Sequence, residues 1–292
     1  MVFRNSILLI AVCLFLTAAC ASGQLFQEPT PTPSPPPTET PLPTETPIGY
    51  IDGWELVWQD EFNGNEIDLT KWSHEVNGQG GGNRELQYYT DFPENSFVED
   101  GNLVIVAREE RYIGRDYTSA RMRTLGKGDW KYGRFEARIR LPEGQGIWPA
   151  FWMLPTAWRY GGWPTSGEID IMEMVGHLPG QVHGTIHYGS LGNHQYTGTE
   201  YDLPLGEKFI DDFHVFAVEW EEEEMRWYVD GELFQTLNSW NTKNQPFPAP
   251  FDQEFHIILN LAVGGNWPGS PDETTAFPQS MEVDYVRVYQ KR

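Results

Sequence analysis

Gly167-Glu168-Ile169-Asp170-Ile171-Met172-Glu173-Met174-Val175-Gly176 sets three carboxylates among isoleucine, methionine and valine, with a glycine at each end. A short run rich in β-branched residues reads as a strand, because such side chains pack well on a pleated surface. Side chains alternate faces along a strand, so Glu168 and Asp170 point the same way. Strict alternation would send Glu173 to the opposite face. One extra residue, a β-bulge within Ile171-Met172, returns it to the shared face. The two glutamates then stand four strand steps apart, about 13 Å between Cα atoms at roughly 3.3 Å per step. On a concave sheet their side chains converge to about 5–5.5 Å, the separation of a nucleophile and an acid/base in a retaining glycosidase. The competing reading is the solvated face of an antiparallel sheet, where acidic and apolar residues also alternate. Like charges so closely set on a flat solvent face repel, which speaks for the chemical reading.

Strand signals continue on both sides. Upstream lie Trp54–Trp58, Leu103–Ala107, Gly133–Leu141 and the apolar Gly146–Leu154. Downstream lie Val182–Tyr188, Phe213–Trp220, Met225–Val229, Phe255–Val263 and Met281–Tyr289. Asp100-Gly101 and Asp230-Gly231 are hairpin-turn pairs. No long helical period interrupts the series, and 29 Gly with 22 Pro suit a turn-rich chain. The fold class is therefore all-β, an antiparallel sandwich or barrel, in one domain from about residue 50 to 292.

Composition narrows the partners. A net charge of −22 argues against nucleic acid or an anionic membrane surface. Aromatic residues make up 14% of the chain, with 12 Trp and 13 Tyr. Their flat apolar faces with polar edges suit stacking on sugar rings, although large sandwich cores also consume aromatics. The only cysteines are Cys13 and Cys20, so the domain has neither a disulfide nor a thiol nucleophile.

Residues 1–20 read as an export leader, with Arg4 before an apolar core of Ile7 to Leu16 that is too short for a confident membrane span. Leu16-Thr17-Ala18-Ala19-Cys20 resembles a bacterial lipobox, which would make Cys20 a lipidated anchor. Thr17 departs from the usual leucine, and plain secretion with cleavage after Ala21 is the alternative. Residues 21–49, rich in Pro and Thr, form an extended spacer, which suits a domain held away from an anchor.

Five separated segments carry a resemblance. They are Gly167–Glu173, Gly146–Trp152, His183–Tyr188, Asn260–Gly269 and Val283–Tyr289. In this order they resemble family 16 of the glycoside hydrolases, in its bacterial laminarinase-like (endo-1,3-β-glucanase) branch. The resemblance implies a concanavalin A-like jelly roll whose concave face holds a β-glucan chain. It also implies the bulged Glu-x-Asp-x-x-Glu strand, with Glu168 as nucleophile, Glu173 as acid/base and Asp170 hydrogen-bonded to the nucleophile or structural in the sheet. His187 would contact substrate or tune the acid/base, against a core histidine. Trp148 and Trp163 resemble sugar platforms, Trp148 against a buried indole. Asn83 and Arg84 would meet sugar hydroxyls, and Trp267 would stack. The chemistry requires no cofactor. A structural calcium on Glu61, Gly101 and Asp284 is a further implication, against plain surface carboxylates. A monomer is the default. Other readings are a mixed-linkage glucanase or galactanase of the same family, and a non-catalytic glucan-binding module.

Overall fold

The computed structural model describes Gly49 and residues 51–292. The leader, Cys20 and the rest of the Pro/Thr-rich spacer lie outside the described residues.

Alternating hydrophobicity and frequent turns translate into eighteen strands among the described residues. The first nine are β1 (Trp54–Asp60), β2 (Ser73–His74), β3 (Gln87–Tyr89), β4 (Ser96–Glu99), β5 (Asn102–Tyr112), β6 (Arg115–Ser119), β7 (Arg121–Arg123), β8 (Asp129–Trp130) and β9 (Gly133–Arg140). The rest are β10 (Ile147–Pro155), β11 (Glu168–Glu173), β12 (Gln181–Ser190), β13 (Asn193–Asp202), β14 (His214–Trp220), β15 (Met225–Val229), β16 (Glu232–Leu237), β17 (Phe255–Val263) and β18 (Gln279–Lys291). A single 3-10 turn, Gly80–Gly82, is the helical element among the described residues.

Two sheets result. The larger runs β16-β15-β14-β9-β18-β5-β6-β3, with β1 on β18 and β4 on β5. The smaller runs β13-β12-β11-β10-β17-β7-β2, with β8 on β17. Pairing is antiparallel except for β3 with β6, which is parallel. This is the expected antiparallel sandwich with one parallel pair at an edge. Both hairpin turns form as read: Asp100 and Gly101 have φ of 50° and 79°, and Asp230 and Gly231 have 50° and 82°. Positive φ at both central residues gives the twist that a two-residue hairpin needs.

The core lies between the sheets. Phe135, Ala137 and Ile139 of β9 meet Phe216, Val218 and Trp220 of β14 on the inner face of the larger sheet. Ile169 and Ile171 of β11, Phe151 and Met153 of β10, and Leu259 and Leu261 of β17 face them from the smaller sheet. The outer face of the larger sheet carries paired charges instead. Arg134 binds Glu136 at 2.7 Å and Glu219 at 3.1 Å, while Arg226 holds Glu219 from the far side at 2.9 Å. In β17 every residue is buried, since one face joins the core and the other floors a cleft.

Strand β13 escapes the sequence reading, as does the β3–β6 pairing. Its segment Asn193–Asp202 is polar, so neither face announces a core. It pairs along its whole length with β12, and its alternate residues extend the cleft face beyond β12.

Candidate active site

The geometry of β11 follows from the one-residue irregularity. Its ladder with β12 runs Glu168↔His187, Ile169↔Ile186 and Asp170↔Thr185, then resumes at Glu173↔His183. Three residues of advance on β11 oppose two on β12, so Ile171-Met172 holds the extra residue. The ladder with β10 jumps at the same place, from Trp152↔Asp170 to Phe151↔Met172. Ile171 and Met172 are both buried, and Glu168, Asp170 and Glu173 all line one cleft. A buried indole supports the irregularity from below: Trp227 Nε1 donates to the Asp170 carbonyl at 2.9 Å.

The cleft encloses about 460 Å³. Each glutamate has its own indole donor. Trp163 Nε1 donates to Glu168 Oε2 at 3.0 Å, and Trp148 Nε1 donates to Glu173 Oε1 at 3.0 Å. The expected sugar platforms are therefore also donors to the acids. Asp170 is buried between the glutamates, with His187 Nε2 at 3.2 Å from its Oδ2 and 3.8 Å from Glu168 Oε1. Asp170 Oδ2 has no aligned hydrogen bond, so His187 is near enough to share a proton with it without being locked to it.

Burial dominates the electrostatics. It pushes Glu168 up to about 8, helped by the neighbouring Asp170 charge and opposed by His187 and the Trp163 hydrogen bond. Glu173 also rises to about 8, through burial and then Asp170, against His187 and the Trp148 bond. Burial raises Asp170 well above its ordinary value. Three carboxyls sharing so little water cannot all ionise, so the cluster retains protons near neutrality. A retained proton is what a general acid needs, and an ionised neighbour is what a nucleophile needs.

Of the other expected residues, Asn83, Trp267 and His187 line the cleft. Trp267 stands edge-to-face with Trp148, centroids 5.5 Å apart, and is 41% exposed, as a stacking surface should be. Arg84 does not line the cleft; it is exposed, with φ of 61°. Its neighbour Glu85 lines the cleft instead, buried under the glycine loop. A Cβ at Gly81 would collide with the Glu85 carboxylate, so glycine is required there. That loop is tied to the Trp267 loop through Asn266 N donating to Asn83 O at 2.8 Å.

Several lining residues were not anticipated: Arg121, Trp152, Trp158, Asn260 and His194. Arg121 lies over the Trp152 ring at 4.7 Å, and Trp152 Nε1 donates to Asn260 Oδ1 at 2.7 Å. Alternation in β7, β10 and β17 was the available signal. Once Glu173 is placed opposite Ala150, Ala150 opposite Asn260 and Asn260 opposite Arg121, alternation along β10 adds Trp148 and Trp152 to the cleft face.

The proposed calcium ligands are otherwise engaged. Both carboxylate oxygens of Glu61 accept from Arg287 at 2.8 Å, and Asp284 Oδ2 accepts from Arg138 at 2.7 Å. Calcium wants several uncommitted oxygens, and these two carboxylates are already neutralised by guanidinium groups. The set does not fit the ion.

Residues 84–287 match the sequence profile of Glycosyl hydrolases family 16. The chain belongs to glycoside hydrolase family 16. This family 16 hydrolase is 50% identical over 247 residues to a "Beta-glucanase" of Rhodothermus marinus, covering 81% of this chain and 85% of that protein. It is 43% identical over 251 residues to a "Glucan endo-1,3-beta-glucosidase" of Cryptopygus antarcticus, covering 80% and 91%. Among solved structures, the laminarinase catalytic domain of Thermotoga maritima shares its fold with a TM-score of 0.75 at 48% identity. That match covers 82% of this chain and all of the other. The jelly-roll class expected of the family 16 chain is thus the class it has.

Proposed function

We propose that this family 16 hydrolase cuts internal bonds of β-1,3-glucan with retention of configuration. The observation that carries the reading is the bulge, which turns Glu173 onto the face of Glu168 inside a tryptophan-lined cleft. Relatives named for 1,3-β-glucan support the substrate class.

Both glutamates have an indole donor, but His187 Nε2 stands 3.8 Å from Glu168 and makes no such contact with Glu173. Glu168 is the nucleophile: its oxygen bonds to the anomeric carbon as the glycosidic C–O bond breaks. Glu173 gives its proton to the departing oxygen. It then removes a proton from water, which attacks the same carbon and releases Glu168. Asp170 and His187 hold the third carboxyl's proton near the nucleophile and set which oxygen is charged. Trp148, Trp163 and Trp267 supply ring faces for sugars.

The export leader and the Pro/Thr-rich spacer support a protein that works outside the cytoplasm, held through a lipid on Cys20. A calcium at Glu61, Gly101 and Asp284 would have to displace two arginines, and no part of the reaction depends on it.

Incubating the folded protein with laminarin while following reducing ends and the first-formed anomer by NMR tests this reading. Laminarin should yield β-anomeric ends first. Glu168→Gln and Glu173→Gln should each lower turnover by about 10²–10⁴-fold. An α-anomeric first product, or full activity in either variant, would overturn the assignment. Parallel digestion of lichenan, agarose and carrageenan separates the remaining specificities of the family.

A further inference from the structure

His194 lies on β13, the terminal strand of the cleft sheet, where the sequence offered no reason to look. It touches both groups that surround Glu168. Its Nε2 is 2.8 Å from His187 Nδ1, and the two imidazoles lie edge to edge and nearly coplanar, centroids 5.0 Å apart and planes inclined by 18°. Its ring also packs on Trp163, centroids 4.6 Å apart, the indole that donates to Glu168. Tyr196 closes the far side of the cluster at 5.9 Å.

A contact between two imidazole nitrogens holds one hydrogen, donated by one ring and accepted by the other. When His187 is neutral with its proton on Nε2, facing Asp170 and Glu168, its Nδ1 is an acceptor and His194 must donate. The groups facing this pair are Glu168 and Asp170 on β11, Glu173 beyond the bulge, and the uncharged Trp163 and Tyr196. No cation other than the histidines themselves is among them. Burial and then its neighbour His187 lower the basicity of His194, which keeps it neutral, so an Nε2–H on His194 donates to His187 Nδ1 and leaves the His187 proton on Nε2.

We propose that His194 is a positioning residue for the nucleophile: from the edge strand it fixes the tautomer and ring plane of His187 and braces the Trp163 donor. This deepens the glycosidase reading and rests on it. Trp163 reaches Glu168 through a single N–H from a side chain that is 44% exposed, and His187 faces Asp170 Oδ2 without an aligned bond, so both rings gain from the brace that His194 supplies. A misplaced donor at a reacting group costs rate rather than binding.

The test compares wild type with His194→Phe, which keeps a flat ring without the hydrogen bond, and His194→Gln, which restores a polar partner. His194→Phe should lower kcat on laminarin by about 10- to 100-fold with KM within two-fold, and displace the pH profile. His194→Gln should recover most of kcat. Long-range proton–nitrogen NMR should show one His187 tautomer in wild type and a mixture in His194→Phe. An unchanged kcat and pH profile, a rise in KM alone, or equal losses in both variants would overturn the proposal. Inactive wild type would instead overturn the glycosidase reading, and the tautomer measurement would still decide the role of His194. Thermal melting of each variant excludes unfolding as the cause of any loss.

Discussion

Glu173 is a poor residue for stability and a good one for acid catalysis, for the same reason. In the unfolded chain it ionises near the ordinary value of 4.5; in the cleft it holds its proton up to about 8. Between those values the native state binds more protons than the unfolded state, so stability falls as pH rises. The stabilising contribution is complete below about pH 4.5 and is lost as pH passes 8. Glu173→Gln removes this dependence. Its melting temperature should match wild type near pH 4 and exceed it increasingly from pH 5 to 8, as thermal melts across pH would read. An offset constant with pH would mean that the carboxyl is not held protonated. At this scale the acids were legible, because Glu168, Asp170 and Glu173 are charges set in an apolar strand. Arg121, Glu85 and His194 were not, since nothing local distinguishes a cleft arginine or histidine from a surface one. Arg84, beside the glycine loop, was chosen where Glu85 takes the place in the lining.

Strand β11 performs its task because an interruption in its ladder leaves the Asp170 carbonyl to be satisfied from elsewhere. Trp227 reaches it from the opposite sheet. The same indole fills space that any Cβ at Gly184 would enter, so the catalytic sheet and the supporting sheet are locked at this point. Trp227→Phe keeps an aromatic ring but strands a buried carbonyl. It should cost about 1–3 kcal/mol in chemical denaturation and lower laminarin turnover as the bulge relaxes. Loss of stability with undiminished turnover would show that the bulge does not need this bond. The bulge itself was readable from the odd spacing of Glu168 and Glu173, because only an extra residue puts both on one face. Strand β13 was not readable, because an edge strand with solvent on one face and a polar cleft on the other has no apolar stripe.

Across the whole molecule, polarity is divided between two surfaces. The smaller sheet keeps Glu168, Asp170 and Glu173 unpaired with arginine, and burial raises all three. The larger sheet covers its outer face with arginine–carboxylate pairs. Arg134 is the most enclosed of these, 8% exposed between Glu136 and Glu219. Removing it leaves Glu136 with only the Tyr285 hydroxyl, 3.1 Å away. Arg134→Leu should therefore destabilise by about 3–5 kcal/mol, while Arg134→Leu with Glu136→Leu should cost much less. Neither should change KM, because both positions lie on the sheet that does not carry the cleft. Denaturation curves paired with kinetics check this. A KM change in either would mean that the two sheets are coupled more tightly than their separate surfaces imply. The sandwich class was legible from turn spacing and period-two runs. The order of strands within each sheet was not, since register depends on partners far apart in the chain.

Two of the chain's twelve indoles place their N–H groups on Glu168 and Glu173, one apiece. A protonated carboxylic acid and a carboxylate perturb the excited state of a neighbouring indole differently. Each acid is thus paired with a light-emitting ring of its own, and the difference in emission between wild type and the matching tryptophan-to-phenylalanine variant, followed across pH, should change where that acid gives up its proton.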